Sequence, residues 1–91
     1  MDIHSGEFVY ATKGRDTGKC FKVISAKENY LYLCDGKSRK VSNPKKKKIK
    51  HVRLTGDKDE FIVNKLETVG KLTNKEVRYS LNNYLGVFSS Y

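Results

Sequence analysis

The stretch that decides the fold runs from Val9 to Ile24: Val9-Tyr10-Ala11-Thr12-Lys13-Gly14-Arg15-Asp16-Thr17-Gly18-Lys19-Cys20-Phe21-Lys22-Val23-Ile24. Its two ends are rich in β-branched and aromatic residues, which suit a pleated, half-buried surface. Its centre is polar and bracketed by Gly14 and Gly18. The pattern predicts a strand, a tight basic loop and a second strand. Glycine reaches positive φ without steric cost, so the loop can bring its backbone and the cations Arg15 and Lys19 close to a ligand. A nucleic-acid backbone is the ligand that suits it.

Side chains alternate across a strand, so Val9 and Ala11 share one face while Phe8, Tyr10 and Thr12 share the other. By the same period Phe21 and Val23 oppose Cys20, Lys22 and Ile24. After a polar turn at Ala26-Lys27-Glu28-Asn29, a third strand is predicted over Tyr30 to Cys34, with Leu31 and Leu33 inward and Tyr30 and Tyr32 outward. Asp35-Gly36 predicts a type I′ hairpin, in which Gly36 supplies positive φ, leading into a fourth strand from Lys37 to Val41. Ser42-Asn43-Pro44 breaks that strand. Val52 and Leu54 alternate in a fifth strand from about His51 to Leu54, and Ile49, out of phase with them, predicts a bulge or short helical turn just before it. Five short strands with no βαβ crossover predict a mainly β fold, a small twisted barrel.

The last third changes period. Ile62, Leu66 and Val69 have helical spacing, with acids near the start and Gly70 at the end, although Phe61-Ile62-Val63 also fits a strand. Thr73-Asn74-Lys75-Glu76 has the pattern of a capping box, followed by Val77, Leu81 and Tyr84 or Leu85 on one face and a stop at Gly86. This helix needs an apolar surface, and Phe8, Tyr10, Tyr30 and Tyr32 are the expected one. The same tyrosines have the chemistry to stack on unpaired bases. The expected organisation is a barrel over residues 1–56 and a helical extension over residues 57–91 packed on it.

The charge is concentrated in the first part of the chain. The 91 residues carry 19 Lys+Arg and 10 Asp+Glu, net +9, and the 14 basic and 5 acidic residues through Leu54 account for all of that excess. A strongly basic chain of low hydropathy points to an anionic partner. Between Lys37 and Arg53 there are nine basic residues and no acid: Lys37, Arg39, Lys40, Lys45, Lys46, Lys47, Lys48, Lys50 and Arg53. A lysine run is often a solvated surface. At this density, however, like charges oppose folding, and phosphates relieve that repulsion while releasing condensed counterions.

Other chemistry finds little footing. The glycine loop differs from a phosphate-binding P-loop, which has four residues between its glycines, Ser or Thr after the lysine, and a helix rather than a strand beyond. His4 and His51 lie far apart in sequence, and with Cys20 and Cys34 they form no metal-ligand pattern. No nucleophile, base and orienting acid stand out as a set, so no enzyme, metal, cofactor or small-molecule substrate is expected. The two cysteines, 13 residues apart, read as small buried or half-buried thiols in a reducing compartment rather than a disulfide. With no long apolar run and no signal-peptide pattern at Met1-Asp2-Ile3-His4, the chain is expected in the cytoplasm without a membrane partner.

Val9 through Ser25, with Gly14, the central Gly18-Lys19, and Phe21 and Val23 beyond, resembles a KOW motif of the kind found in large-subunit ribosomal proteins and NusG-type elongation factors. Tyr32, Asp35-Gly36-Lys37, Arg39-Lys40 and the lysine run after Pro44 extend the resemblance to short bacterial KOW-domain RNA-binding proteins similar to archaeal and eukaryotic ribosomal proteins. That likeness implies an SH3-like barrel that binds structured RNA, with Gly18 as the motif glycine and Arg15 and Lys19 as its loop cations. The RNA is expected to be ribosomal and the chain to work on the ribosome or in translation, and the chain is expected to be monomeric when free. Two alternatives remain. Residues 59 to 85 as a DNA-binding helix-turn-helix conflict with their lack of net positive charge. In the other, the barrel or its helices dock on another protein as an adaptor.

Overall fold

Alternation of apolar residues splits the strands between two cores. The computed structural model describes residues 4–86; residues 1–3 and 87–91, the last of the expected extension, lie outside the described residues. Strands β1 (Glu7–Ala11), β2 (Cys20–Lys27), β3 (Tyr30–Cys34), β4 (Lys45–Lys48) and β5 (Val52–Lys58) form one antiparallel sheet in the order β4-β3-β2-β1-β5. On its inner face Val9, Ala11, Phe21, Val23, Leu31 and Leu33 are buried together, flanked by Ala26, Ile49 and Val52. This is the parity expected from the sequence.

Helices α1 (Glu60–Thr68) and α2 (Asn74–Leu85) cover part of the other face. There Phe8, Cys34, Ile62, Leu72, Val77 and Leu81 form the second core, with Cys20, Ile24, Val41, Leu66 and Tyr84 against it. Cys20 and Cys34 are free thiols on this face. Asp59 caps α1 by accepting the Phe61 amide at 3.0 Å, so Phe61-Ile62-Val63 is helical. In the capping box of α2, Thr73 Oγ1 accepts the Glu76 amide at 3.1 Å and Glu76 Oε1 accepts the Thr73 amide at 2.9 Å. A Lys65–Glu76 ion pair ties the helices together, and the Ser80 hydroxyl donates to Asp59 at 2.6 Å.

Four expectations need correction. Residues 37–41 are not a strand, because the Asp35 carboxylate accepts the amides of Lys37 at 2.8 Å and Arg39 at 2.9 Å and winds the segment into a loop. The strand in this part of the sheet is β4, made of the lysine run after Pro44 and paired with β3. The fifth strand continues to Lys58, so the sheet extends past the expected boundary at residue 56. Val69 is the C-cap of α1 and is exposed rather than aligned with Ile62. Finally, the helices cover Phe8, whose ring stacks on Tyr84 with centroids 3.8 Å apart, whereas Tyr30 and Tyr32 stay outside the two hydrophobic clusters.

The expected short helical turn is present as a 3-10 turn at Ile49–His51. It joins β4 directly to β5, the two outermost strands of the sheet. Its ends are fastened to the neighbouring turns: the Ile49 amide donates to Asn29 O at 2.9 Å, and His51 O accepts the Thr12 amide at 2.9 Å. No β4–β5 pairing closes the sheet among the described residues.

Candidate nucleic-acid interface

The loop between β1 and β2 is a folded unit. Thr17 Oγ1 donates to Gly14 O at 2.6 Å, the Lys19 amide to Asp16 O at 2.9 Å, and the Gly18 amide to Ala11 O at 2.8 Å. Gly18 has φ +89° and open space around it, so backbone conformation rather than crowding selects glycine there. Arg15 at the tip is exposed.

The lysine run contributes to this loop from below. On β4, Lys45 and Lys47 pair with Leu33 and Leu31 and therefore lie on the inner face, while Lys46 and Lys48 pair with Tyr32 and Tyr30 on the outer face. The inner pair reaches the loop. Lys45 Nζ donates to Asp16 Oδ2 at 2.7 Å, and the ammonium of Lys47, buried at 9% exposure, donates to Lys13 O. The hydrogen bond from Lys45, supported by the nearby charge of Lys19, holds the Asp16 carboxyl below its usual range. Lys45 and Lys47 therefore fasten the loop to the sheet, and the outward members of the run, Lys46 and Lys48, are left facing solvent.

Those outward cations have company that the linear sequence does not announce. Lys13, exposed at the end of the first strand, approaches the 3-10 turn with Lys48 and Lys50. Partial burial of His51, and then the charges of Lys50, Lys48, Lys13 and Lys47, push its imidazole below the usual histidine value. Among the described residues, Lys13, Lys46, Lys48 and Lys50 form no ion pair with a carboxylate. Lys46 Nζ sits 4.3 Å from the centroid of the Tyr30 ring.

A second basic locality lies between the loop and α2. A groove of about 550 Å³ is lined by Gly18, Lys19, Cys20, Asp35, Lys37, Ser38, Arg78, Leu81, Asn82 and Leu85. It brings Lys19 and Lys37 together with Arg78, a residue absent from the sequence-based candidates. Lys19 is 3.5 Å from Asp16 and 4.0 Å from Asp35, so its charge is partly compensated, and Arg78 donates to Gly36 O at 2.7 Å. Arg39 is half-buried and Lys40 exposed in the Asp35-organised loop. Arg53 lies elsewhere, on β5 with its guanidinium 4.6 Å from the Tyr10 centroid.

The acids are mostly committed to structure. Asp35 organises its loop, Asp59 and Glu76 cap helices, Asp57 accepts the Tyr84 hydroxyl at 2.6 Å, and Glu7 accepts the Gly56 amide at 3.1 Å. The outer edge formed by β4 and the 3-10 turn is consequently left with excess positive charge. Among the described residues there is no cluster of three or more metal-ligating side chains, and no helix is long and apolar enough to cross a membrane.

Fold and surface together define a small, mainly β domain with a strongly basic sheet edge. Neither a scan against protein-family models nor a search of curated proteins finds a match.

Proposed function

We propose that this protein is an RNA-binding module that holds structured RNA, ribosomal RNA in particular, and acts in translation or on the ribosome. The observation that carries this reading is the cluster of Lys13, Lys48 and Lys50 around His51, continued along β4 by Lys46, all without carboxylate partners among the described residues. Such a cluster attracts polyanions and gains free energy from counterion release. The KOW-like loop carries Arg15 and Lys19; Lys37, Arg39 and Lys40 add cations around the loop after Asp35, and Arg53 lies apart from them on β5. Lysine contacts recognise backbone and shape more than sequence. An SH3-like barrel is the finer reading of the fold; the strand order and the 3-10 turn joining the two outermost strands support it.

If about five phosphates are neutralised, log affinity for ribosomal RNA should fall with log salt at a slope of roughly −3.5 to −4.5. Fluorescence anisotropy across a potassium chloride series measures it. A slope near zero overturns the electrostatic mechanism.

A protein-binding role draws support from a different surface, where Phe61 and Tyr79 are 62% and 66% exposed beside a groove that also includes Asp59, Lys75 and Glu76. Co-sedimentation with ribosomal subunits that survives both nuclease and high salt would favour that role.

A further inference from the structure

The sheet face left outside the helices carries more than charge. Antiparallel pairing sets Lys27, Tyr30 and Lys48 in one row across β2, β3 and β4, and Ser25, Tyr32 and Lys46 in the next. Directly paired residues project to the same side of a sheet, so two tyrosines stand among three lysines there. Beside Tyr30 a groove of about 520 Å³ is lined by Asn29, Tyr30, Lys48, Ile49 and Lys50. Lys46, whose ammonium rests 4.3 Å from the ring centroid, is not among the groove's lining residues. The groove thus reaches Tyr30 from the side of Lys48 and Lys50.

Two of the groove's lining residues are joined by backbone bonding. The Ile49 amide donates to Asn29 O at 2.9 Å, joining the β2–β3 turn to the 3-10 turn across the groove. An aromatic ring, an amide side chain and two ammonium groups in one groove match an unpaired nucleotide: a base for the ring, its polar edge for Asn29, and flanking phosphates for Lys48 and Lys50. A base pair inside a duplex has both faces occupied by its neighbours and offers no such surface.

We propose that Tyr30 is a stacking platform for one unpaired base in the bound RNA, with Asn29 at the base edge and Lys27, Lys48 and Lys50 around its phosphates. This rests on the RNA-binding reading and specifies which part of the RNA occupies the sheet face. It also brings in Lys27 and Asn29, which the sequence-based set did not include.

The test compares a blunt RNA duplex with the same duplex carrying one bulged 2-aminopurine nucleotide, by anisotropy and by 2-aminopurine fluorescence. Tyr30→Ala, Tyr30→Leu and Tyr30→Phe are compared with the native chain, and circular dichroism verifies their folding. The native chain should prefer the bulged RNA by roughly 5- to 150-fold, the range of one base–aromatic stack, and should quench the 2-aminopurine. Tyr30→Phe should keep the preference, while Tyr30→Ala and Tyr30→Leu should lose both preference and quenching. Equal, salt-dependent binding of the two RNAs, or a preference unchanged in Tyr30→Ala and Tyr30→Leu, overturns the stacking site and leaves the RNA reading standing. Failure to bind either RNA overturns the RNA reading and the stacking site with it.

Discussion

The Lys22 ammonium lies 3.2 Å from the centroid of the Phe8 ring, whose plane is stacked on Tyr84. Lys22 is fully buried between sheet and helices, and its ammonium donates a hydrogen bond to Gly6 O at 3.2 Å. This places a cation inside a core that the sequence assigns to apolar residues.

Burial lowers the Lys22 pKa from 10.5 to about 8, partly offset by the negative charge of Asp59. The unfolded chain thus holds this proton more tightly, so the contribution of Lys22 to stability rises as pH climbs from about 8 toward 10.5. The full span corresponds to about 3 kcal/mol. Cys34 acts in the opposite sense above its ordinary value of 9.0, because burial raises its folded pKa to about 12. Urea unfolding of the native chain and Lys22→Met between pH 7 and 9.5 separates the two effects, since both chains share Cys34. The native chain should gain stability relative to Lys22→Met as pH rises; a constant difference would show that Lys22 does not titrate there.

The alternating roles along β4 can be separated by paired substitutions. Lys46→Gln with Lys48→Gln should leave thermal unfolding nearly unchanged, weaken RNA binding and reduce the salt slope by about one for each phosphate no longer neutralised. Lys45→Gln with Lys47→Gln should instead reduce stability by about 1–2 kcal/mol, because the loop loses its charged hydrogen bonds to the sheet. Calorimetry and anisotropy on both double variants check this division.

His51 should report RNA binding directly. The folded chain holds the imidazole below its usual value of 6.5, first by partial burial and then by the charges of Lys50, Lys48, Lys13 and Lys47. The unfolded chain is therefore protonated first as pH falls, and His51 contributes less stability below that value. Phosphates placed among these lysines should raise the bound-state pKa, so affinity should increase as pH falls from 7.5 to 6. Histidine NMR titration with and without RNA tests this, with His51→Gln removing the effect.

Gly36 marks a tight contact between the third strand's end and α2. Its φ is +78°, and a Cβ there would lie 2.5 Å from Asn74 O in the helix backbone. Gly36→Ala should cost roughly 1–3 kcal/mol and disturb the groove containing Lys37 and Arg78. Chemical denaturation provides the check, and Gly18→Ala provides a comparison in which only positive φ is challenged, because no atom lies within 4 Å of that Cβ.

Local chemistry made parts of this structure readable in sequence. The faces of Val9, Phe21, Leu31 and Leu33 followed from period-two alternation, and the α2 start followed from Thr73 and Glu76. The segment after Asp35 was harder to read: the hairpin signal of Asp35-Gly36 competed with the carboxylate's capacity to bind nearby amides, and the latter prevailed. Four consecutive lysines contain no apolar alternation from which the inward positions of Lys45 and Lys47 can be inferred; these depend on their partners Leu33 and Leu31. Lys13 was similarly hidden, because it meets Lys48 and Lys50 only after β4 and the 3-10 turn fold beside the loop. The placement of Lys22 on the face of Phe8 fits its strand parity, but its burial depends on helices that arrive much later in the chain.

The position of β4 also bears on self-association. An unpaired outermost strand offers amides and carbonyls to other chains, and charged side chains are one defence against such edge-to-edge growth. Here that strand consists of Lys45–Lys48. A second copy aligned against it would bring the outward ammonium groups of Lys46 and Lys48 up against like charges, while a polyanion would neutralise those two groups. The edge can therefore repel its own kind while remaining open to phosphate.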